Sequence, residues 1–161
     1  MKQSCYKILI SACLLGERVR YDAKQKTLHH PLIDRWKKAD ILYPVCPEIL
    51  GGLPTPRPAA EIQTNGTVAT EKRQDVSEAF NRGAEKTLAI ALKNNIKIVI
   101  LTERSPSCGS SFIYDGSFSS TIIEGQGITT RLLRKHGIQV FNQFQLQEAQ
   151  TQLSFSIKPH E

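Results

Sequence analysis

Cysteines are the residues through which this chain could most plainly do chemistry, and there are four, Cys5, Cys13, Cys46 and Cys108. No two form a CxxC pair, which sets aside a zinc ribbon or a thioredoxin-type motif. Three of them sit in segments rich in Gly, Pro and Ser: "SACLLG", "VCPEILGG" and "SPSCGSS". Thiolates are soft ligands suited to zinc and to iron–sulfur clusters. Three protein thiolates would leave zinc with one open position. They would leave a cubane cluster with one open iron, a Lewis acid that favours soft sulfur. A lone catalytic cysteine helped by a histidine is a further option, but His29, His30, His136 and His160 do not follow strand-like runs, so that pairing has little support. The plain alternative is that each cysteine is a small buried apolar residue.

Polar residues beside the cysteines extend the list. Glu48 follows Cys46 by two positions and could act as general acid or base in a pocket that raises its pKa; otherwise it is a surface carboxylate or a cap. Ser105 and Ser107 flank Pro106 next to Cys108, placed either to hydrogen-bond a ligand or to make local turn bonds. Arg57 could bind an anion, but pairing with Glu61 is the safer expectation. "GQG" at 125–127 is too short for a nucleotide fingerprint.

The elements that must position these groups follow from the apolar pattern. "KILIS" (7–11), "DILYPV" (40–45) and "KIVIL" (97–101) read as strands buried on both faces, with "IQVF" (138–141) as a fourth. "HPLIDRWKK" reads as a short helix with Pro31 at its first position. The clearest helix is "QDVSEAFNRGAEKTLAIALKNN", with Val76, Phe80, Ala84, Leu88 and Leu92 on one face and Asp75 with Glu78 as an Asp form of the capping box. "TTRLLRKHG" is a helix stopped by Gly137. Asp115-Gly116 within "FIYDGSFSSTII" predicts a hairpin-like insertion near 112–123. "PEILGGLPTPRPAAEI" reads as a long functional loop. Alternating strands and helices predict an α/β fold: a single compact domain over 1–161 with a mainly parallel, Rossmann-like sheet flanked by helices. The folded core covers about 7–141, and a C-terminal helix and a loose tail follow.

On that scheme Cys13, Cys46 and Cys108 each follow the carboxyl end of a strand. Parallel strands share that edge, and ligands bind in its crevice. Three cysteines from distant parts of the chain are therefore expected to converge, with Cys5 at the opposite edge.

The 161 residues carry a formal net charge of +6 and are 40% hydrophobic, which suits one folded core and permits an anionic partner. The basic residues are scattered, and the clusters at Arg35, Lys37 and Lys38 and at Arg131, Arg134 and Lys135 are expected to be solvated ends of helices. No basic stripe with interleaved aromatics of the RNA-reading kind is present. No run is long enough to span a membrane. "ILISAC" resembles a lipoprotein cleavage box, but the apolar run before Cys13 is too short for a secretory signal. A cytoplasmic protein with reduced cysteines is expected, and no oligomeric state follows from the pattern.

Taken together, "SACLLGERVRYDA", "CPEILGGLPTPRPAAEI" and "SPSCGSSFIYDGSF" resemble the bacterial thiouracil desulfidase family, over roughly residues 7–141. The resemblance implies a [4Fe-4S] cluster held by Cys13, Cys46 and Cys108 with one open iron, an acid/base role for Glu48 and an assisting role for Ser105. Cys5 matches no ligand. Ala23 stands where the family pattern has a glycine. The implied reaction is non-redox: the sulfur of 2-thiouracil, 4-thiouracil or a thiolated nucleoside or nucleotide binds the open iron, and uracil and hydrogen sulfide are released. The implied partner is thus a small thiolated pyrimidine, with thiolated RNA less favoured. A cysteine-ligated zinc or redox-sensing protein without catalysis is the competing reading, and an enzyme of thiolated RNA is another.

Overall fold

The computed structural model describes residues 6–24 and 27–157, so Cys5 and His160 lie outside the described residues. Four strands form one sheet: β1 (Ile8–Ser11), β2 (Leu42–Val45), β5 (Ile98–Ile100) and β8 (Gln139–Phe141), in the order β2-β1-β5-β8. Every pairing in it is parallel. The chain moves one way from β1 to β2 and the other way from β1 to β5. The switch point, where such sheets bind ligands, therefore lies between β1 and β5.

Alternation along the strands builds two cores. Ile8, Ile10, Ile98 and Ile100 face α1 (Pro31–Lys38) and α5 (Leu146–Ile157), packing with Leu32, Ile33, Trp36, Leu146 and Leu153. Leu9, Val99 and Val140 face the other way, onto Ala91 of α3 (Ser77–Lys93) and Leu133 of α4 (Ile128–Lys135). The central strands β1 and β5 are buried on both faces, as their unbroken apolar runs predict. The expectation fails for β2, which is half-exposed because it lies at the sheet's edge. An edge is also where a strand tolerates a proline, here Pro44.

Helix starts and stops follow local chemistry. Pro31 opens α1, and the Leu32 N–H donates to Nδ1 of His30 at 3.1 Å. Gly137, at φ +78°, ends α4 as predicted. In α3 the Asp75 carboxylate accepts from the Ser77 N–H at 2.9 Å, but the cap position falls on Val76 and no reciprocal bond from Glu78 forms the predicted box. The buried face of α3 is Phe80, Gly83, Ala84, Thr87 and Ala91, while Leu92 is exposed. Steps of four residues advance about 40° past a full turn, so the predicted stripe drifts off the core by its end.

The segment read as a long loop after Cys46 holds two elements. Pro47–Leu50 is a short helix, α2, and Ala60–Ile62 is β3, which pairs antiparallel with β4 (Val68–Thr70). Asn65-Gly66 at the tip, with Gly66 at φ +87°, was the available hairpin signal. Gly51 and Gly83 let α2 lie directly on α3: a Cβ on Gly83 would stand 2.0 Å from the Pro47 carbonyl oxygen. The predicted insertion near 112–123 is the antiparallel hairpin of β6 (Phe112–Tyr114) and β7 (Ile122–Glu124). Ala23, where the resemblance leads one to expect a glycine, adopts φ +57°, a conformation that favours glycine. Among the described residues no helix is long and apolar enough to cross a membrane.

Candidate functional site

A cavity of about 410 Å³ opens at the carboxyl edge of the sheet, across the β1/β5 switch point. Cys13, Cys46, Cys108, Glu48 and Ser105 all line it. The three cysteines are reduced thiols, and Cys13 and Cys108 are buried.

Each thiol is set by a different local device. Cys13 lies in a 3-10 turn, Ala12–Leu15, that leaves β1 and is closed by Gly16 at φ +93°. Cys46 is extended, at φ −125° and ψ 107°, because Pro47 disfavours a helical residue before it. Pro47 then opens α2, which carries Glu48 in its first turn.

Cys108 depends on a loop held from several directions. Ser105 Oγ accepts from the N–H groups of Ser107 (3.1 Å) and Cys108 (3.2 Å). The first N–H groups of α4, normally orphans, find carbonyls here: Ile128 donates to Pro106 and Thr129 to Ser107. Thr130 Oγ1 donates to the Cys108 carbonyl at 2.9 Å. Gly127 permits this contact, since a Cβ there would stand 2.4 Å from the Ser107 carbonyl. The "GQG" segment therefore serves the cysteine loop rather than a nucleotide.

Glu103, which the sequence pattern did not single out, anchors the same loop. Its Oε1 accepts from the N–H groups of Ser110 (2.7 Å), Ser111 (3.1 Å) and Phe112 (3.2 Å). Its Oε2 accepts from Ser110 Oγ (2.9 Å) and Asn142 Nδ2 (2.6 Å). Burial alone would raise this carboxyl, but the hydrogen bonds from Ser111, Phe112 and Ser110 together outweigh it and hold it below the usual carboxylate range. Arg134, expected on a solvated helix end, instead donates to the carbonyls of Ser110 (2.7 Å) and Val140 (3.0 Å). A guanidinium reaching back from α4 ties the loop to β8, and charge pattern alone does not show such a reach.

Glu48 pairs with Arg57, not Glu61 with Arg57 as the sequence suggested. Arg57 Nε donates to Glu48 Oε1 at 3.2 Å, with side chains 4% and 17% exposed respectively. The rest of the guanidinium donates to Pro54 O (3.0 Å), Thr55 Oγ1 (3.1 Å) and Val19 O (3.0 Å), so four of its five N–H groups are bound by protein. Glu61 is committed elsewhere, accepting from the N–H groups of Gly116 and Phe118. Burial raises the Glu48 carboxyl above its ordinary value, opposed by Arg57 and by a hydrogen bond from Ser105. A serine has one proton and two lone pairs. With backbone N–H groups on its lone pairs, the Ser105 proton is the group left to give Glu48.

Burial pushes the Cys108 thiol well up, helped by the nearby charges of Glu48, Cys46 and Cys13. Burial also raises Cys46, against N–H groups of Ile49 and Glu48. The three thiols line the same cavity, and Cys13 and Cys46 both act on Cys108. Raised in this way, Cys46 and Cys108 give up their protons when a cation binds, as metal binding by cysteine requires. Among the described residues no three His, Cys, Asp or Glu side chains are gathered tightly enough for a single metal ion. A cluster instead spreads its thiolates over separate irons, and three soft donors round one cavity fit that arrangement. No described histidine lines the cavity. Ser107 is buried against Thr129 Oγ1 at 2.7 Å rather than turned to a ligand.

The profile of the 2-thiouracil desulfurase family matches residues 8–145. The chain belongs to this family. A relative in Bacillus subtilis (strain 168), the uncharacterized protein YbbK, is 43% identical over 152 residues, covering 88% of this chain and 98% of that one. A solved structure of the [4Fe-4S]-dependent thiouracil desulfidase TudS superposes with a TM-score of 0.91 at 47% identity, covering 93% of this chain and 99% of the other. The α/β architecture predicted from the strand pattern is thus that of a family member.

Proposed function

We propose that this protein is a [4Fe-4S]-dependent desulfidase that hydrolyses a thiouracil to uracil and hydrogen sulfide. The observation that carries the reading is the meeting of three reduced thiols with Glu48 and Ser105 on one cavity at the sheet's switch point. Membership of the family and the likeness to TudS support it. Cys13, Cys46 and Cys108 are assigned as the ligands. When bound, a cluster with one open iron supplies a Lewis acid soft enough to bind thiocarbonyl sulfur and polarise the ring carbon.

The chain's own groups do the rest. A cavity of about 410 Å³ lies within the range of small-ligand pockets, roughly 300–1,000 Å³, and suits a small thiolated pyrimidine. Glu48 takes a proton from the attacking water and later returns one toward the departing sulfur. Arg57 holds the carboxylate in place, and the Ser105 hydroxyl helps to orient it by donating a hydrogen bond. The balance is thiouracil plus water giving uracil plus hydrogen sulfide, so no external electron is needed.

Anaerobic purification followed by iron and sulfide analysis tests the reading, with about four of each per chain expected for a cubane cluster. Stoichiometric zinc with no iron after reconstitution would overturn it. Cys108→Ala should lose the cluster. Glu48→Gln should keep the iron and lose roughly 10²- to 10⁴-fold in rate on 2-thiouracil or 4-thiouracil, the span of general acid–base catalysis. A fully active Glu48→Gln enzyme would remove the role given to Glu48.

A further inference from the structure

The β6–β7 hairpin supplies one wall of the cavity, through Tyr114, Phe118 and Ser120. Three features of Phe118 bear on that wall. Its backbone sits at φ +57°, a left-handed conformation rare for a bulky L-residue. Its apolar side chain is 37% exposed. Its N–H is bound to a buried carboxylate, Glu61, at 3.2 Å. Strained residues held by their surroundings cluster at ligand clamps and active sites.

The surroundings here are well determined. Glu61 Oε1 also accepts from the Gly116 N–H at 3.0 Å, so one oxygen pins two points of the loop. Gly116, at φ +94°, lies so close to β3 that a Cβ would stand 2.7 Å from the Ile62 carbonyl. The Asp115 N–H donates across the loop to Thr121 O at 3.0 Å. The loop is preorganised on β3 rather than left to adapt.

We propose that Phe118 is the platform on which the pyrimidine ring of the substrate stacks, and that Glu61 is the positioning residue that holds it there. The inference rests on the desulfidase reading above and names how that site recognises its ring. An aromatic face suits a planar base whatever its thiolation position, because every base has a π-face. Stacking is equal in the ground and transition states, so its loss raises KM more than it lowers kcat.

The test uses cluster-loaded full-length protein with iron content measured for each variant. Phe118→Leu keeps apolar bulk but has no π-face. Phe118→Gly relieves the left-handed backbone, so it should raise or preserve the thermal midpoint while weakening binding. Both should raise KM for 4-thiouracil by roughly 5- to 100-fold, the span seen for base stacking, with a far smaller change in kcat. Phe118→Trp should recover most of the loss. Binding of the product uracil, read by calorimetry, should weaken in parallel. Glu61→Ala should resemble Phe118→Gly in KM, and Glu61→Gln, which keeps an acceptor, should recover most of it. An active wild-type enzyme whose Phe118→Leu and Phe118→Gly variants keep KM within about twofold would overturn the stacking role. A wild-type protein that binds no cluster or releases no sulfide from thiouracil would instead overturn the desulfidase reading itself.

Discussion

Replacing Glu103 by alanine should loosen the Cys108 loop and destabilise the fold together. The carboxylate accepts from four backbone N–H groups, those of Arg104, Ser110, Ser111 and Phe112, and from one hydroxyl and one amide. Arg104, Ser111 and Phe112 are exposed and can turn to water. Ser110 is buried, so its N–H and O–H lose their partner outright. Asn142 keeps one bond, to Ser110 Oγ at 2.9 Å. One to two orphaned buried donors at about 1–3 kcal/mol each, less the relief of no longer burying a carboxylate, give a net loss of about 2–4 kcal/mol. That is a large share of a typical domain stability of about 5–15 kcal/mol. Glu103→Gln keeps the shape but sets its amide against the Asn142 amide, donor to donor, and should lose about 1–2 kcal/mol. Adding Asn142→Asp restores an acceptor and should recover part of that loss in a double-mutant cycle. Urea unfolding of the cluster-free chains measures these values, and maleimide labelling of Cys108, mapped by peptide mass, should quicken in Glu103→Ala. The sign with pH follows from the carboxyl lying below its unfolded value. The stabilisation is present above the unfolded pKa of about 4.3 and is lost as pH falls through the folded one. Glu103→Gln should therefore flatten the acid limb of stability; Asp75 and Asp115, also lowered, are unchanged in both proteins and cancel. A Glu103→Ala loss under about 0.5 kcal/mol with unaltered Cys108 labelling would refute the reasoning, since it would mean that those donors find other partners.

Two further outcomes are expected. Arg57→Met leaves Glu48 without its buried counter-charge and should destabilise by about 3–5 kcal/mol in urea unfolding, and the double variant with Glu48→Gln should lose less than Arg57→Met alone. Ala23→Gly, which removes a Cβ from a left-handed backbone, should stabilise by about 0.5–1 kcal/mol, read as a raised urea midpoint with an unchanged slope.

The sequence by itself determined the frame and singled out the three cysteines. Apolar runs at β1 and β5 are local signals of burial on both faces, and a parallel sheet places the ends of such strands along one edge. Cys13, Cys46 and Cys108 could therefore be brought to one place by topology alone, and the motifs round them carried the family resemblance. The tertiary structure decided which groups serve those cysteines. Glu48 and Glu61 lie in one stretch with Arg57 between them, and only the path of that loop past Val19 selects Glu48 as the partner. Glu103, Gly127 and Arg134 look ordinary in the chain, and their importance arises because α4 begins on the carbonyls of the Cys108 loop. Apolar periodicity is set by neighbours in sequence, so it can be read there. Hydrogen-bond partners of buried polar groups are set by which segments meet, and that choice is made only when the chain has folded.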